Sequence, residues 1–163
     1  MTSADTTHWT IPASANATYS SDGMKIQGSS WSDCYLEIAL DKPMSIMFDV
    51  TSNASLANNV PPFSTYLYDA SNKDRKYHIF YEVNTRKLIN DYYNSQTNTS
   101  GAFSFPSAFN MEIKVKSDSV EVYLDGVLYV TKSNYSLVSP FIFGVTTAAN
   151  RYTTYKNLKI KPL

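Results

Sequence analysis

The stretch Phe109 to Lys132, FNMEIKVKSDSVEVYLDGVLYVTK, constrains the fold more than any other part of this chain. Met111, Ile113 and Val115 alternate with Glu112, Lys114 and Lys116, the two-residue period of a half-buried strand. Asp118-Ser119 is a turn candidate. A two-residue turn there pairs Ser117 with Val120, keeps Val115, Val122 and Leu124 on one face, and sets Lys116 opposite Glu121 as a favourable cross-strand pair. Asp125-Gly126 is the stronger turn signal, because a type I′ hairpin needs φ > 0 at both central residues. It carries Leu124 across to Val127 and then Tyr129. Three antiparallel strands and two turns agree on one arrangement.

The same period recurs along the chain. Cys34, Leu36, Ile38 and Leu40 alternate with polar neighbours until Asp41-Lys42-Pro43 breaks the pattern. Met44, Ile46, Phe48 and Val50 form a second long strand. Phe63 to Asp69 places Phe63, Thr65 and Leu67 on one face, assigned to the core, and Tyr66 and Tyr68 on the other. Ala70 to Arg75 reads as a turn. Tyr77, Ile79, Tyr81 and Val83 alternate with His78, Phe80 and Glu82, and Asn84-Thr85 turns the chain into Lys87 to Tyr92. Pro140 to Thr147 reads as a buried strand, and Tyr152 to Lys161 as a closing strand with Leu158 and Ile160 inward. Short segments at the start include His8 to Ile11 and a hairpin at Asp22-Gly23. Thr51 to Pro62 and Tyr93 to Gly101 are polar and turn-rich, hence loops. No segment holds a 3.6-residue apolar period. About a dozen strands at this spacing predict an all-β antiparallel sandwich, spanning residues 1–163 as one domain.

Charge narrows the function classes. The chain carries 14 basic and 14 acidic residues, for a net charge of +0, without runs of either sign. Nucleic-acid binding needs a basic footprint, and a membrane-surface site needs a polybasic one. Neither is present. No apolar run is long enough to insert into a bilayer as a helix. The opening MTSADTTHWT has neither a basic nor an apolar leader region, so no signal peptide is expected in this chain. A single cysteine, Cys34, excludes an intramolecular disulfide, and its apolar alternation predicts a buried core residue. With His8 and His78 far apart, no zinc-type ligand set exists.

The 13 Tyr, 8 Phe and 2 Trp are the unusual numbers. Ser, Thr and Asn together make up roughly three residues in ten, above ordinary usage. This palette suits surfaces that recognise polar ligands, and β-rich chains also favour Tyr and Thr for their own sake.

The C-terminal half resembles the concanavalin A-like (laminin-G-like) jelly-roll superfamily. The residues that carry the likeness are Met111 to Lys116, the hairpin Val120-Glu-Val-Tyr-Leu-Asp-Gly126, the glycine-bearing Phe143-Gly-Val145, and Tyr155-Lys-Asn-Leu-Lys-Ile160. Trp9, Asp22 to Ile26 and Cys34 to Leu40 fit more loosely. The resemblance implies a jelly-roll sandwich. It implies a function among lectins, carbohydrate-binding modules, glycosidases and protein-binding modules. The chain is also similar to carbohydrate-binding modules of bacteriophage tail and baseplate proteins. That would place it on a virion or at the cell surface, as part of a larger particle. The superfamily often holds structural calcium. Asp5, Asp69, Asp74 and Asp125 are the acids available for it, but no local loop has the oxygen-rich spacing of a dedicated site.

Catalysis finds little support. Glycoside hydrolysis needs two carboxylates flanking the scissile bond. None of the 14 acids has another two positions away. Glu37/Asp41 and Glu121/Asp125 are four apart, about 13 Å along a strand and too far. There is no nucleophile elbow and no phosphate-cradling glycine loop. The expected function is therefore a non-catalytic carbohydrate-binding module without a cofactor. The alternatives are a protein-interaction module on the same fold and a glycoside hydrolase. A sugar site needs an aromatic face and a few planar polar groups. The candidates are Tyr66, Tyr68, Trp31, Asn150, Arg151 and Tyr152, with Tyr92 and Tyr93 as further aromatics. Tyr66 and Tyr68 are expected to form an exposed platform, two residues apart on one strand.

Overall fold

A computed structural model of the chain describes residues 9–11, 16–20, 23–27, 32–36, 39–52, 63–92, 98–133, 140–147 and 152–163. These contain fourteen strands and no helix. The first eight are β1 (Trp9–Thr10), β2 (Ala17–Ser20), β3 (Gly23–Gln27), β4 (Ser32–Leu36), β5 (Met44–Ser52), β6 (Ser64–Asp69), β7 (Asn72–Glu82) and β8 (Lys87–Tyr92). The remaining six are β9 (Asn98–Thr99), β10 (Ala108–Val115), β11 (Ser119–Leu124), β12 (Val127–Ser133), β13 (Phe141–Thr147) and β14 (Tyr152–Pro162). They form two seven-stranded sheets, ordered β1-β4-β13-β6-β7-β8-β9 and β12-β11-β10-β5-β14-β3-β2. All pairings are antiparallel. The architecture is an antiparallel β-sandwich, as the alternation predicted, of the jelly-roll form that the resemblance implied.

One cluster of buried side chains from both sheets fills the interior. Ile46, Phe48 and Val50 of β5, with Met111, Ile113 and Val115 of β10, line it from the second sheet. Leu67, Ile79, Tyr81, Phe143 and Val145 line it from the first, with the buried Cys34 beside them. Thr65 also faces inward and is fully buried. Leu158 and Ile160 pack against the same core, half-buried.

The three-strand stretch that anchors the sequence reading folds as β10-β11-β12. Asp125 and Gly126 have φ of 48° and 79°, and Leu124 pairs with Val127, as a type I′ turn requires. A bulge between Val122 and Tyr123 then pairs Tyr123 with Leu128, so Tyr129 has no directly opposed residue. The first turn lies one residue earlier than expected. Val115 pairs with Val120 and Lys114 with Glu121, and the Lys116 amide donates to the Ser119 carbonyl at 2.8 Å, leaving Ser117-Asp118 at the turn. The shift changes every partner by two residues and so leaves every side chain on its original face. Hydrophobic alternation therefore cannot distinguish the two registers. The Lys116–Glu121 ion pair forms all the same, diagonally rather than directly across.

Strand β9 falls in the Tyr93 to Gly101 stretch read as polar loop, and β2 precedes the expected Asp22-Gly23 hairpin in a stretch with no apolar alternation. Both are edge strands, each with a neighbour on one side only. Such strands do not need a regular apolar pattern to be held in place. β7 begins at Asn72, inside the expected Ala70 to Arg75 turn, and an irregularity between Tyr68 and Asp69 absorbs the extra residues. The hairpin near Asp22-Gly23 closes on Ser20 and Gly23.

Candidate functional site

β6 lies in the middle of the first sheet and is buried along its whole length. Phe63, Thr65 and Leu67 face the interior, as expected, and Ser64, Tyr66 and Tyr68 stand on the opposite face. Across from them on β7, Phe80 pairs with Ser64, His78 with Tyr66 and Lys76 with Tyr68. This alignment builds a continuous row of rings. Tyr68 and Tyr66 have centroids 5.3 Å apart. Tyr66 and His78 stack at 4.3 Å with 17° between their planes. His78 and Phe80 stack at 4.2 Å and 24°. The Ser64 hydroxyl is hydrogen-bonded to His78 Nε2.

The two tyrosines do lie on the face away from the core, but they are not an exposed platform. Tyr66 is 6 % exposed and Tyr68 1 %. They form a second small apolar cluster with Ile142 of β13, which pairs with Tyr68, and with Ala70. On a central strand both faces find neighbours, so the face opposite the core is packed as well. The half-buried rings of the row are His78 and Phe80. The sequence places them two apart on a strand. What it does not give is the β6–β7 register that sets them beside Tyr66.

The remaining candidates separate. Tyr152 begins β14 on the outer surface of the second sheet, where Lys25 Nζ lies 4.0 Å from its ring centroid. It is thus on the other side of the sandwich from Tyr66 and Tyr68, and the fold does not join them in one site. Trp31, Asn150 and Arg151 lie outside the described residues, as does Tyr93. Tyr92 ends β8 opposite Tyr77.

The row can offer the partly exposed rings of His78 and Phe80 to the C–H side of a sugar ring, and the imidazole, oriented by the buried Ser64 hydroxyl, to its hydroxyls. It does not present a paired-carboxylate arrangement. In the described registers no acidic residue stands directly across from another. Of the candidate calcium ligands, Asp69 is buried and accepts the Ser71 amide and hydroxyl, at 2.9 and 2.6 Å. Asp125 accepts the Asn110 amide, so these two acids serve turns. Asp5 lies outside the described residues. Among the described residues, no group of three or more His, Cys, Asp or Glu could hold a metal ion.

No family model matches the chain, and no curated protein sequence does. Solved structures match the fold over nearly its whole length. A carbohydrate-binding module, CBM66, from Bacillus subtilis superposes with a TM-score of 0.70 at 13 % identity, covering 94 % of this chain and 95 % of that one. The apo Crh5 transglycosylase gives 0.76 at 10 % identity, covering 99 % and 80 %. An endo-acting O-glycanase of the human gut microbiota gives 0.76 at 9 % identity, covering 98 % and 93 %. A sialidase gives 0.72 at 14 % identity, and there the chain spans only 17 % of the longer protein. At these identities the likeness establishes the sandwich fold.

Proposed function

We propose that the chain is a non-catalytic carbohydrate-binding module whose ligand lies on the outer face of the first sheet. The observation that carries this reading is the stacked row Tyr66–His78–Phe80, with the Ser64 hydroxyl bonded to the imidazole. Rings that prop one another upright cost little further entropy when a ligand orders against them. A binding rather than hydrolytic role for this face is supported by its described side chains, Ser64, Tyr66, Tyr68, His78 and Phe80, which include no carboxylate, since hydrolysis needs two carboxyls a fixed distance apart. The fold neighbours named above are of both kinds, binding module and glycan-processing enzyme.

A half-buried surface with few hydrogen bonds binds weakly, on the order of 10 µM to 1 mM. Useful adhesion then requires many copies acting together. The reading therefore extends to polysaccharide on a cell surface, met by a chain displayed on a larger particle such as a phage tail. None of the fold neighbours named above is a tail or baseplate protein, and this extension rests on the affinity argument and the sequence resemblance.

The test is a glycan array with the chain and with His78→Ala/Phe80→Ala, both first shown to be folded by their melting curves. Loss of at least tenfold in affinity for the retained glycan is expected in the variant. Equal binding by both proteins would remove the site from this face, and silence of the unaltered chain on every glycan would favour a protein-interaction module. Turnover of chromogenic glycosides would establish a hydrolase instead. Tyr66→Ala/Tyr68→Ala is a poor probe, because truncating two buried rings costs several kcal/mol of packing.

A further inference from the structure

The outer face of the second sheet holds a polar cleft of about 380 Å³, on the other side of the sandwich from the aromatic row. Asp49, Thr51, Asn110, Asp125 and Lys156 line it. Asn110 and Lys156 stand directly across from Asp49 on its two neighbouring strands. Asp49 Oδ1 accepts from Asn110 Nδ2 at 2.9 Å, and Oδ2 accepts from Asn157 Nδ2 at 2.6 Å. Asn157 sits in the β14 bulge between Lys156 and Lys159 with φ of 55°. Asp125, from the type I′ turn, accepts the Asn110 backbone amide at 2.8 Å. Three segments distant in sequence are thus tied into one rigid polar floor.

We propose that this cleft is a binding site for a neutral, hydroxyl-rich ligand, engaging a vicinal diol of a saccharide. The floor fixes its groups without exhausting them. Each carboxylate oxygen has a further lone pair, and each amide keeps a carbonyl oxygen and another N–H. Acceptors (Asp49, Asp125) and donors (Lys156, the amides) therefore alternate within reach of one sugar edge, and adjacent hydroxyls both give and take hydrogen bonds. Hydrogen bonds from Asn110 and Asn157 hold the Asp49 carboxyl below its usual range, so it is ionised and acceptor-only near neutral pH.

The same charges disfavour other ligands. Lys156 in the wall opposes a cation, and two carboxylates oppose an anion. Tyr152 lies four residues along β14 from Lys156, about 13 Å at strand rise. Its half-buried ring stands on the same outer face, so an oligosaccharide running along β14 would end against it. The site is separate from the one proposed for the first sheet, and the two would give one chain two glycan contacts facing opposite ways.

The experiment is amide chemical-shift mapping of isotope-labelled protein titrated with methyl glycosides and their oligomers to about 100 mM, a range suited to millimolar affinity. Saturating shifts at Thr51, Asn110 and Asn157 are expected, lost in Asp49→Asn and in Lys156→Met but retained in His78→Ala/Phe80→Ala. Lys156→Met keeps the carboxylate–amide floor intact, so it probes binding even if Asp49→Asn perturbs the fold. Shifts confined to β6 and β7 would overturn this proposal and leave the first-sheet reading standing. Cleft shifts produced by calcium chloride and reversed by a chelator would make it a cation site and also overturn it. Cleft shifts unchanged in both cleft variants would do the same.

Discussion

The Tyr155 hydroxyl, on the second sheet, lies 2.8 Å from the Thr146 carbonyl oxygen of the first and donates to it. The Ser64 carbonyl oxygen lies 3.2 Å from the same Tyr155 hydroxyl. Tyr155 is buried between the sheets with its ring against Phe48, and desolvation pushes its phenol far above the ordinary range. The bond is thus a dry polar tie across the sandwich, ending on β6 and β13 beneath the aromatic row. Tyr155→Phe removes the donor and keeps the ring. It should cost about 1–3 kcal/mol, the usual penalty for a buried group left without its partner. A denaturant midpoint equal to that of the unaltered chain would show that the tie contributes nothing.

Gly126 has φ of 79° and, among the described residues, no atom within 4 Å of where a Cβ would sit. Space is therefore not the constraint there; backbone conformation is. Gly126→Val should destabilise by roughly 1–3 kcal/mol, because a β-branched residue resists positive φ. Gly126→Asn should cost much less, since Asn tolerates that region. Similar losses for Asn and Val would mean that something other than φ sets the cost.

The fold was legible where one face of a strand is buried. Alternation in β5, β10 and β11 placed Ile46, Phe48, Val115 and Val122 correctly because a one-residue slip would expose them all. It failed where two registers share a parity, as at Ser117-Asp118, and at the edge strands β2 and β9, which need no apolar pattern. The site was legible only in part. Sequence alone puts Tyr66 and Tyr68 on the outer face, but their burial depends on Ile142, 74 residues beyond Tyr68 and its partner across β13. The Asp49–Asn110–Asn157 floor joins three strands through long-range pairing and a bulge, and no local motif announces it.

Acid should weaken the fold through two carboxyls in particular. Asp49 is held low by Asn110 and then Asn157, and Glu121 by its hydrogen bond from Lys116. A depressed folded pKa contributes stability above the unfolded value, about 3.9 for Asp and 4.3 for Glu, and loses it as pH falls through the folded value. Unfolding free energy should therefore be level at neutral pH and decline below about pH 4. Asp49→Asn should make that decline shallower. An acid limb as steep in the variant would assign the effect to other groups.

Ionic strength should matter little to ligand binding. The chain has a net charge of +0, and a neutral sugar gains nothing from long-range attraction. Affinity measured from low to high salt should change by less than about twofold. A steep fall with salt would point to an anionic polymer as the ligand.

Thr65 gives the one substitution here expected to stabilise. It lies on β6, faces the interior, and pairs with Ile79 and Val145 on the flanking strands. Its residue is fully buried, and Oγ1 has no hydrogen-bond partner among the described residues. A desolvated hydroxyl without a partner costs about 1–3 kcal/mol, and valine has the same branched shape without it. β-branching is kept, so the strand loses nothing in propensity. Thr65→Val should raise stability by about 1 kcal/mol, roughly 2–4 °C in Tm for a chain of this size. Thr65→Ser keeps the hydroxyl and deletes the methyl, so it should destabilise by about 1 kcal/mol through the lost packing. The opposite order, with valine the less stable of the two, would show that the hydroxyl is satisfied in solution and that its contribution is polar.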